Sequence, residues 1–197
     1  MIAIKTDILI IGGSSIGLNC AYYLLKSGRK VTILEANEIA KGNASSNAGQ
    51  IVPSHIIPLA APGVASSALK WMLDEKTSPF GMAMRLDKEY VRWLIQFARS
   101  CTEANLKRGI PAMRNLGQLS AANFESLIKA EKIECHYGQT GMITLFKDAK
   151  TFSAGVHEAE TLQKNGIDVK VLDKTALHAL EPILQNDVVG GTHCTAD

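Results

Sequence analysis

No two cysteines of this chain stand close enough to form a CxxC pair: Cys20, Cys101, Cys135 and Cys194 are scattered through 197 residues. That spacing points neither to a zinc site nor to a redox dithiol. An excess of one charge is missing too. The net charge is +2, with both signs interspersed, which excludes a nucleic-acid stripe or a polybasic membrane patch. The chain has no run of about 18 apolar residues, so no spanning helix is expected. Its N-terminus carries only Lys5 before the first apolar run, and glycines end that run quickly. Such a stretch reads as a strand and not as a signal peptide. The five histidines, His55, His136, His157, His178 and His193, show no metal-ligand spacing. None stands in a serine or cysteine nucleophile arrangement, and no set of catalytic residues can be named.

What is present is organised around residues 7–35, DILIIGGSSIGLNCAYYLLKSGRKVTILE. An apolar run, Ile8–Ile11, meets a glycine turn at Gly12 and Gly13. A helical pattern over Ser15–Lys26 follows, then a second apolar run, Val31–Leu34, ending in Glu35. Strand, glycine turn, helix, strand and acid form the opening of a dinucleotide-binding unit. Gly12 allows the tight turn, and Gly17 lets the helix pack close to the strand. The free N–H groups near Ser15 and Ile16 face a pyrophosphate. Glu35 can accept hydrogen bonds from a ribose diol; it lies 23 residues beyond Gly12, near the usual spacing of about 20. Ser14 stands where the middle glycine of GxGxxG belongs. Its Cβ points toward the place of closest phosphate approach, and its hydroxyl offers a donor instead. A parallel α/β unit that kept its shape and lost its ligand remains the alternative.

From residue 66 on, the chain reads as a mixed second region. In the first helix Ile16, Cys20, Ala21, Leu24 and Leu25 form a sheet-facing stripe, with Cys20 a small buried side chain and Gly28 a left-handed stop. Residues 30–35 read as a buried parallel strand. Residues 36–62 lack charge after Lys41 and carry Pro53, Pro58 and Pro62. Small residues and prolines there let the backbone lie flat against something. Ser45, Ser46, Asn47 and Ala48 either begin a short helix after a serine cap or belong to an irregular packed segment.

Residues 66–73 form a short amphipathic helix and residues 79–86 a turn-rich connector. Two strong helices cover 88–107, with Val91, Leu94, Ile95, Ala98 and Cys101 on one side, and 111–130, with Leu116, Leu119, Phe124, Leu127 and Ile128. Trp71 and Trp93 read as core or edge packing. A strand over 141–146, expected in an antiparallel sheet, precedes a helix over 149–164 capped by Asp148 and stopped by Gly166. A strand over 168–172, a short helix over 175–180 and an extended segment from Val188 complete the chain. His157 and His178 read as surface or boundary residues; His55 is the histidine worth testing.

The order GGSSIG, ILE, then SSNAGQIVPSHIIPLAAPG followed by LKWML resembles the FAD-dependent D-amino acid dehydrogenase family. That family belongs with D-amino acid, glycine and sarcosine oxidases. Gly141, Asn165–Gly166, the Val171-Leu172-Asp173 run, Glu181-Pro182 and Gly190-Gly191 agree with it, so the resemblance covers essentially the whole chain. It implies an α/β fold: an FAD-binding Rossmann-like βαβ unit with a parallel sheet, plus part of an α+β substrate or cap region, incomplete relative to the family. Residues 1–65 would belong to the FAD-binding domain and residues 66–197 to a helical connector and partial substrate domain. Gly12, Gly13, Ser14, Ser15, Ile16 and Gly17 would lie at the FAD diphosphate, with Glu35 and Ala36 at the adenosine ribose. Ser45, Ser46, Asn47, Ala48, Gly49 and Gln50 would lie beside the isoalloxazine or ribityl chain.

The resemblance also implies oxidative deamination of D-amino acids to 2-oxo acids and ammonia. Hydride transfer to a flavin leaves the hard step to the cofactor, which agrees with the scarcity of catalytic side chains. Implied partners are a D-amino acid, an electron acceptor such as a quinone or the respiratory chain, and a C-terminal half or other subunit. The implied location is cytoplasmic or peripheral at the inner face of the cell membrane. Family members are longer, so the chain reads as an N-terminal portion, a split-gene product or a degenerate fragment, inactive in isolation. Two other readings compete: a noncatalytic chain that packs on a partner, and an NAD-dependent Rossmann enzyme. Residues 45–62 argue against the last, because that loop has no evident nicotinamide role.

Overall fold

The computed structural model describes residues 5–66, 85 and 87–197, with only the backbone of Asn43. The expectations for residues 66–73, residues 79–86 and Trp71 fall wholly or largely outside them. Two compact units are present, Met1–Gln50 and Ile51–Asp197. Ile56 is fully buried in the second unit's core, and Ser54 bonds to Asp197 there.

The first unit is a parallel pair, β1 (Ile8–Ile11) and β2 (Val31–Leu34), joined through α1 (Ser15–Lys26). Ile8 stands opposite Val31 and Ile11 opposite Leu34, as the apolar runs predict. The entrance to the pair is tied by polar groups. Lys30 donates its N–H to the Asp7 carboxylate at 3.0 Å, and its carbonyl accepts from the Asp7 and Ile8 N–H groups. Helix α1 stops as expected. Gly28 has φ +82°, its N–H reaches the Leu25 carbonyl, and Arg29 N–H reaches Leu24, a Schellman pair that satisfies end carbonyls.

The buried face of α1 differs from the expected stripe. Gly17 and Ala21 are buried, whereas Ile16 is 76% exposed and Cys20 and Leu25 are exposed. The two small residues, four apart, let the backbone itself lie on the sheet and turn the larger side chains to the flanks. Nor is β2 buried throughout. Period-two alternation puts Leu9, Ile11, Thr32 and Leu34 on the face opposite α1, and Leu9, Ile11 and Leu34 are 54%, 73% and 58% exposed.

In the second unit, β3 (Met142–Phe146), β4 (Val169–Asp173) and β5 (Gly190–Cys194) form an antiparallel sheet with β5 in the centre. Both faces are covered. A Cβ on Gly190 would fall 2.4 Å from the Phe152 ring of one helix, Ala149–Lys164, and a Cβ on Gly191 would fall 3.1 Å from Leu177 of another, Lys174–Leu180. The core gathers Ile56, Ile110, Ala159, Leu162, Ile167, Val169 and Cys194. Asp148 caps the first of these helices by accepting the Thr151 N–H at 2.9 Å, and Gly166, φ +78°, ends it, both as expected.

The two long helices break elsewhere than the pattern predicts. They are α2 (Lys88–Ser100) and α3 (Glu103–Glu131), so the break lies at Cys101–Thr102 and Pro111 sits inside a helix. Thr102 is extended and its side chain accepts the Asn105 N–H, while Asn105 Nδ2 donates to the Ser100 carbonyl at 3.0 Å. These two bonds start a new helix early. Interior proline costs about 3 kcal/mol, and Ile110 beside it is buried in the core. On α2 no residue is buried, and Trp93, 52% exposed, stacks between Tyr90 and Phe97. Leu116 and Leu119, expected on a core stripe of α3, are also exposed.

Gly155 is held by contact, since a Cβ there would fall 2.1 Å from the Phe146 ring. Gly155→Ala should destabilise the second unit by about 1–3 kcal/mol, measured by chemical denaturation, and the double variant with Phe146→Leu should recover part of that loss.

Candidate functional site

The candidate site grows from the turn between β1 and α1. Gly12 leaves the strand with its N–H on the Leu34 carbonyl at 2.9 Å and adopts φ +100°. That conformation strains any residue with a Cβ. The space a Cβ would take at Gly12 is open, with nothing within 4 Å. Gly17 is the opposite case: a Cβ would lie 2.1 Å from the Gly12 carbonyl oxygen and 3.4 Å from Ile10. Only glycine lets the helix start this close to the turn.

The start of α1 is bare. Ser14 is its N-cap, exposed, and its hydroxyl makes no capping bond; no acidic side chain lies in the first turn. The first helical bond runs from Leu18 N–H to the Ser14 carbonyl, leaving the N–H groups of Ser15, Ile16 and Gly17 without intrahelical acceptors. With the helix dipole behind them, such donors suit an anion. The open space at Gly12 and these donors fit a diphosphate. Gly13, in contrast, is buried and gives its N–H to Glu35 Oε2 at 2.7 Å.

Glu35 is half-buried at the end of β2. Its Oε1 accepts the Asn37 N–H at 3.0 Å. These bonds hold its carboxyl below the usual range; Gly13 has the largest effect and Asn37 the next, against slight desolvation, with Ala36 helping. A carboxylate has about four lone-pair sites, so acceptors remain for a ribose. Ala36 is exposed next to it. The bonds from Asn37 N–H to Glu35 and from Ala40 N–H to the Gly13 carbonyl have no sequence signature; they depend on how the chain folds back after β2.

Ser45, Ser46, Asn47, Ala48, Gly49 and Gln50 are all exposed. No helix begins at Ser45. A 3-10 turn at Gly42–Ala44 precedes it, and both serine hydroxyls donate backward to the Gly42 carbonyl, at 3.0 and 3.1 Å. Asn47 Nδ2 donates to the Ala44 carbonyl and Asn47 Oδ1 accepts the Gly49 N–H, both at 2.8 Å. Gly49 has φ +65°. The hydroxyls close the turn behind them, where a capping serine would reach ahead.

His55 is exposed on a cavity of about 200 Å³ inside the second unit, beside Ser54, Thr144, Glu158, Thr192 and Cys194. Ser54 donates its N–H and hydroxyl to the Asp197 carboxylate at 2.9 and 2.5 Å. Burial pushes the Cys194 thiol up, against a smaller lowering effect of the Ser54 side chain, which argues against a thiolate nucleophile. Among the described residues no group of three His, Cys, Asp or Glu side chains could hold a metal, and no helix is long and apolar enough to cross a membrane.

A family model for FAD dependent oxidoreductases matches residues 7–197. A D-amino acid dehydrogenase of Cereibacter sphaeroides is 31% identical over 194 residues, 96% of this chain and 44% of that protein. D-amino acid dehydrogenase 1 of Mesorhizobium japonicum is 30% identical over 195 residues, 97% of this chain and 46% of that protein. The chain therefore spans less than half the length of these curated relatives. Glycine oxidase of Bacillus cereus superposes with a TM-score of 0.63 at 20% identity, over 98% of this chain and 39% of that one. L-proline dehydrogenase of P. horikoshii gives 0.55 at 17%, over 100% and 38%. At these identities the superpositions establish the fold.

The contact at Gly17 sets a test of the turn. Gly17→Ala places a methyl against backbone, which cannot swing aside, so the first unit should lose about 1–3 kcal/mol by denaturant titration followed at the β1 amides. An unchanged midpoint would refute the close packing.

Proposed function

Because the chain belongs to the FAD dependent oxidoreductase family, we propose that the turn from Gly12 to Gly17 and Glu35 bind the adenosine diphosphate part of FAD. In this reading the chain is one part of a flavoenzyme that oxidatively deaminates D-amino acids. The observation that carries it is the bare first turn of α1, held against a positive-φ glycine, with a carboxylate at the end of the neighbouring strand. The relatives named D-amino acid dehydrogenase support the substrate class.

Each group has a task. The Ser15 and Ile16 N–H groups bind phosphate oxygens and the Ser14 hydroxyl adds a donor. Glu35, with Ala36 beside it, receives the ribose hydroxyls. Residues 45–50, turned by their own serine and asparagine bonds, present Gly49 and exposed polar groups toward the ribityl and ring portion. Bound FAD supplies the hydride acceptor, and a quinone or other respiratory acceptor would reoxidise it. The substrate clamp and a cover for Leu9, Ile11 and Leu34 would come from a further polypeptide equivalent to the rest of the family's length. Parallel sheets occur with both faces covered, and the exposure of those three side chains supports such a partner. In this arrangement residues 1–65 serve the cofactor and residues 66–197 the connector and part of the substrate domain.

Two measurements test this. The purified chain, titrated with FAD, should shift and sharpen the flavin absorbance bands. Dye-coupled turnover of D-amino acids should be absent with the chain alone and should appear when the C-terminal portion of a D-amino acid dehydrogenase relative is supplied in trans. Turnover by the isolated chain would overturn the half-enzyme reading. FAD binding without turnover in either mixture would favour a noncatalytic, partner-binding chain.

A further inference from the structure

The segment that follows β2 folds back and takes both backbone groups of Gly13. Glu35 Oε2 accepts its N–H at 2.7 Å, and the Ala40 N–H donates to its carbonyl at 2.9 Å. A Cβ at Gly13 would lie 3.1 Å from Ile39 Cγ1 and 3.5 Å from Glu35 Oε2, so the fold-back also encloses it. The other carboxylate oxygen is tied to its own loop through Asn37 N–H at 3.0 Å.

These contacts fall where the turn needs restraint. Gly12 and Gly13 are adjacent, and glycine has the widest backbone freedom of any residue. Ser14, which could fix the helix start with a side-chain cap, makes no such bond. The donors of the first turn are useful to an anion only while Gly12 and Gly13 keep their present dihedrals. Glu35 is a side chain from outside α1 that holds Gly13.

We infer that Glu35 is a positioning residue for the diphosphate turn in addition to an acceptor for the ribose. The inference rests on the FAD reading above and goes beyond it. One carboxylate couples the two halves of the adenosine diphosphate site: Oε2 shapes the turn that meets the phosphates, while the lone pairs left over meet the sugar. A ribose-only role would leave a ligand without ribose unaffected by loss of Glu35. A positioning role makes that ligand suffer as well.

The sign with pH follows from the lowered carboxyl. A group whose folded pKa is depressed stabilises the folded turn above its unfolded pKa, and that stabilisation is lost as pH falls through the folded value. The hold on Gly13 should therefore persist into the range where an ordinary glutamate is already protonated.

The experiment uses the whole 197-residue chain, labelled with ¹⁵N, in wild-type form and as Glu35→Ala and Glu35→Gln. Inorganic pyrophosphate and ADP are the probes. In the wild type the Gly13 amide proton should resonate downfield and move only below the usual glutamate titration range. In Glu35→Ala that shift should vanish while the Leu9 and Ile10 amides stay in place. Pyrophosphate affinity should weaken about tenfold, the scale of one lost charge-assisted hydrogen bond, and ADP affinity by more. Glu35→Gln keeps a carbonyl acceptor and should fall between the two; it carries the test if the alanine variant does not fold. Loss of ADP affinity with pyrophosphate unchanged would overturn the positioning role, as would a Gly13 amide indifferent to Glu35. A wild-type chain that binds neither probe would overturn the FAD reading, and the Gly13 amide would still decide whether Glu35 holds the turn.

Discussion

The approach of the first helix to the turn before it governs the first unit. With a virtual Cβ of Gly17 only 2.1 Å from the Gly12 oxygen, any side chain there would push the helix off the strand end. Because the helix stays, its unpaired N–H groups emerge beside Gly12, where the backbone has turned with φ +100° and left open space. The donors, the dipole and the room for an anion all follow from one missing methyl group. Glu35 then stabilises the arrangement from the second strand by holding Gly13.

The same closeness has a cost in burial. A helix that meets the sheet through Gly17 and Ala21 removes little apolar area from water. Among the described residues only one face of the two-stranded parallel sheet is covered, and small isolated sheets are marginal in water. The second unit is built differently. Its central strand β5 is paired on both sides, helices pack on both faces, and Ile56 and Leu177 are fully buried. The two units are thus unequal in how far each satisfies its own apolar surface. That inequality accords with a chain covering 44% of the length of a D-amino acid dehydrogenase relative.

Among the described residues few side chains are suited to catalysis by themselves. Burial pushes the Cys194 thiol up, and His157 lies on the surface, 3.7 Å from Glu160. A flavin enzyme needs little more from this part of the chain than binding and orientation, since the cofactor supplies the reactive centre. The polar groups that are well placed here are backbone N–H groups and one carboxylate, which suits a nucleotide and does not by itself activate an amine.

Local sequence determined the elements whose cause is local. The apolar runs of β1 and β2, the stop at Gly28, the Asp148 cap and the Gly166 stop all lie where turn chemistry and periodicity put them, because each depends on residues within a few positions. The glycine turn and its acid were legible for the same reason. Burial was not. Ile16, Cys20 and Leu25 look like a core stripe by spacing, yet the helix rolls onto Gly17 and Ala21, because contact distance and not apolarity sets which face lies down. The break at Thr102 in place of Pro111 came from the Thr102 cap on Asn105 N–H, the Asn105 bond to the Ser100 carbonyl and the burial of Ile110. The hold of Glu35 on Gly13 joins residues 22 positions apart, and the bond from Ser54 to Asp197 joins residues 143 apart. Such contacts carry no periodic signal in the chain. They exist only once tertiary packing has brought the two backbones together, and that step decided the shape of the site.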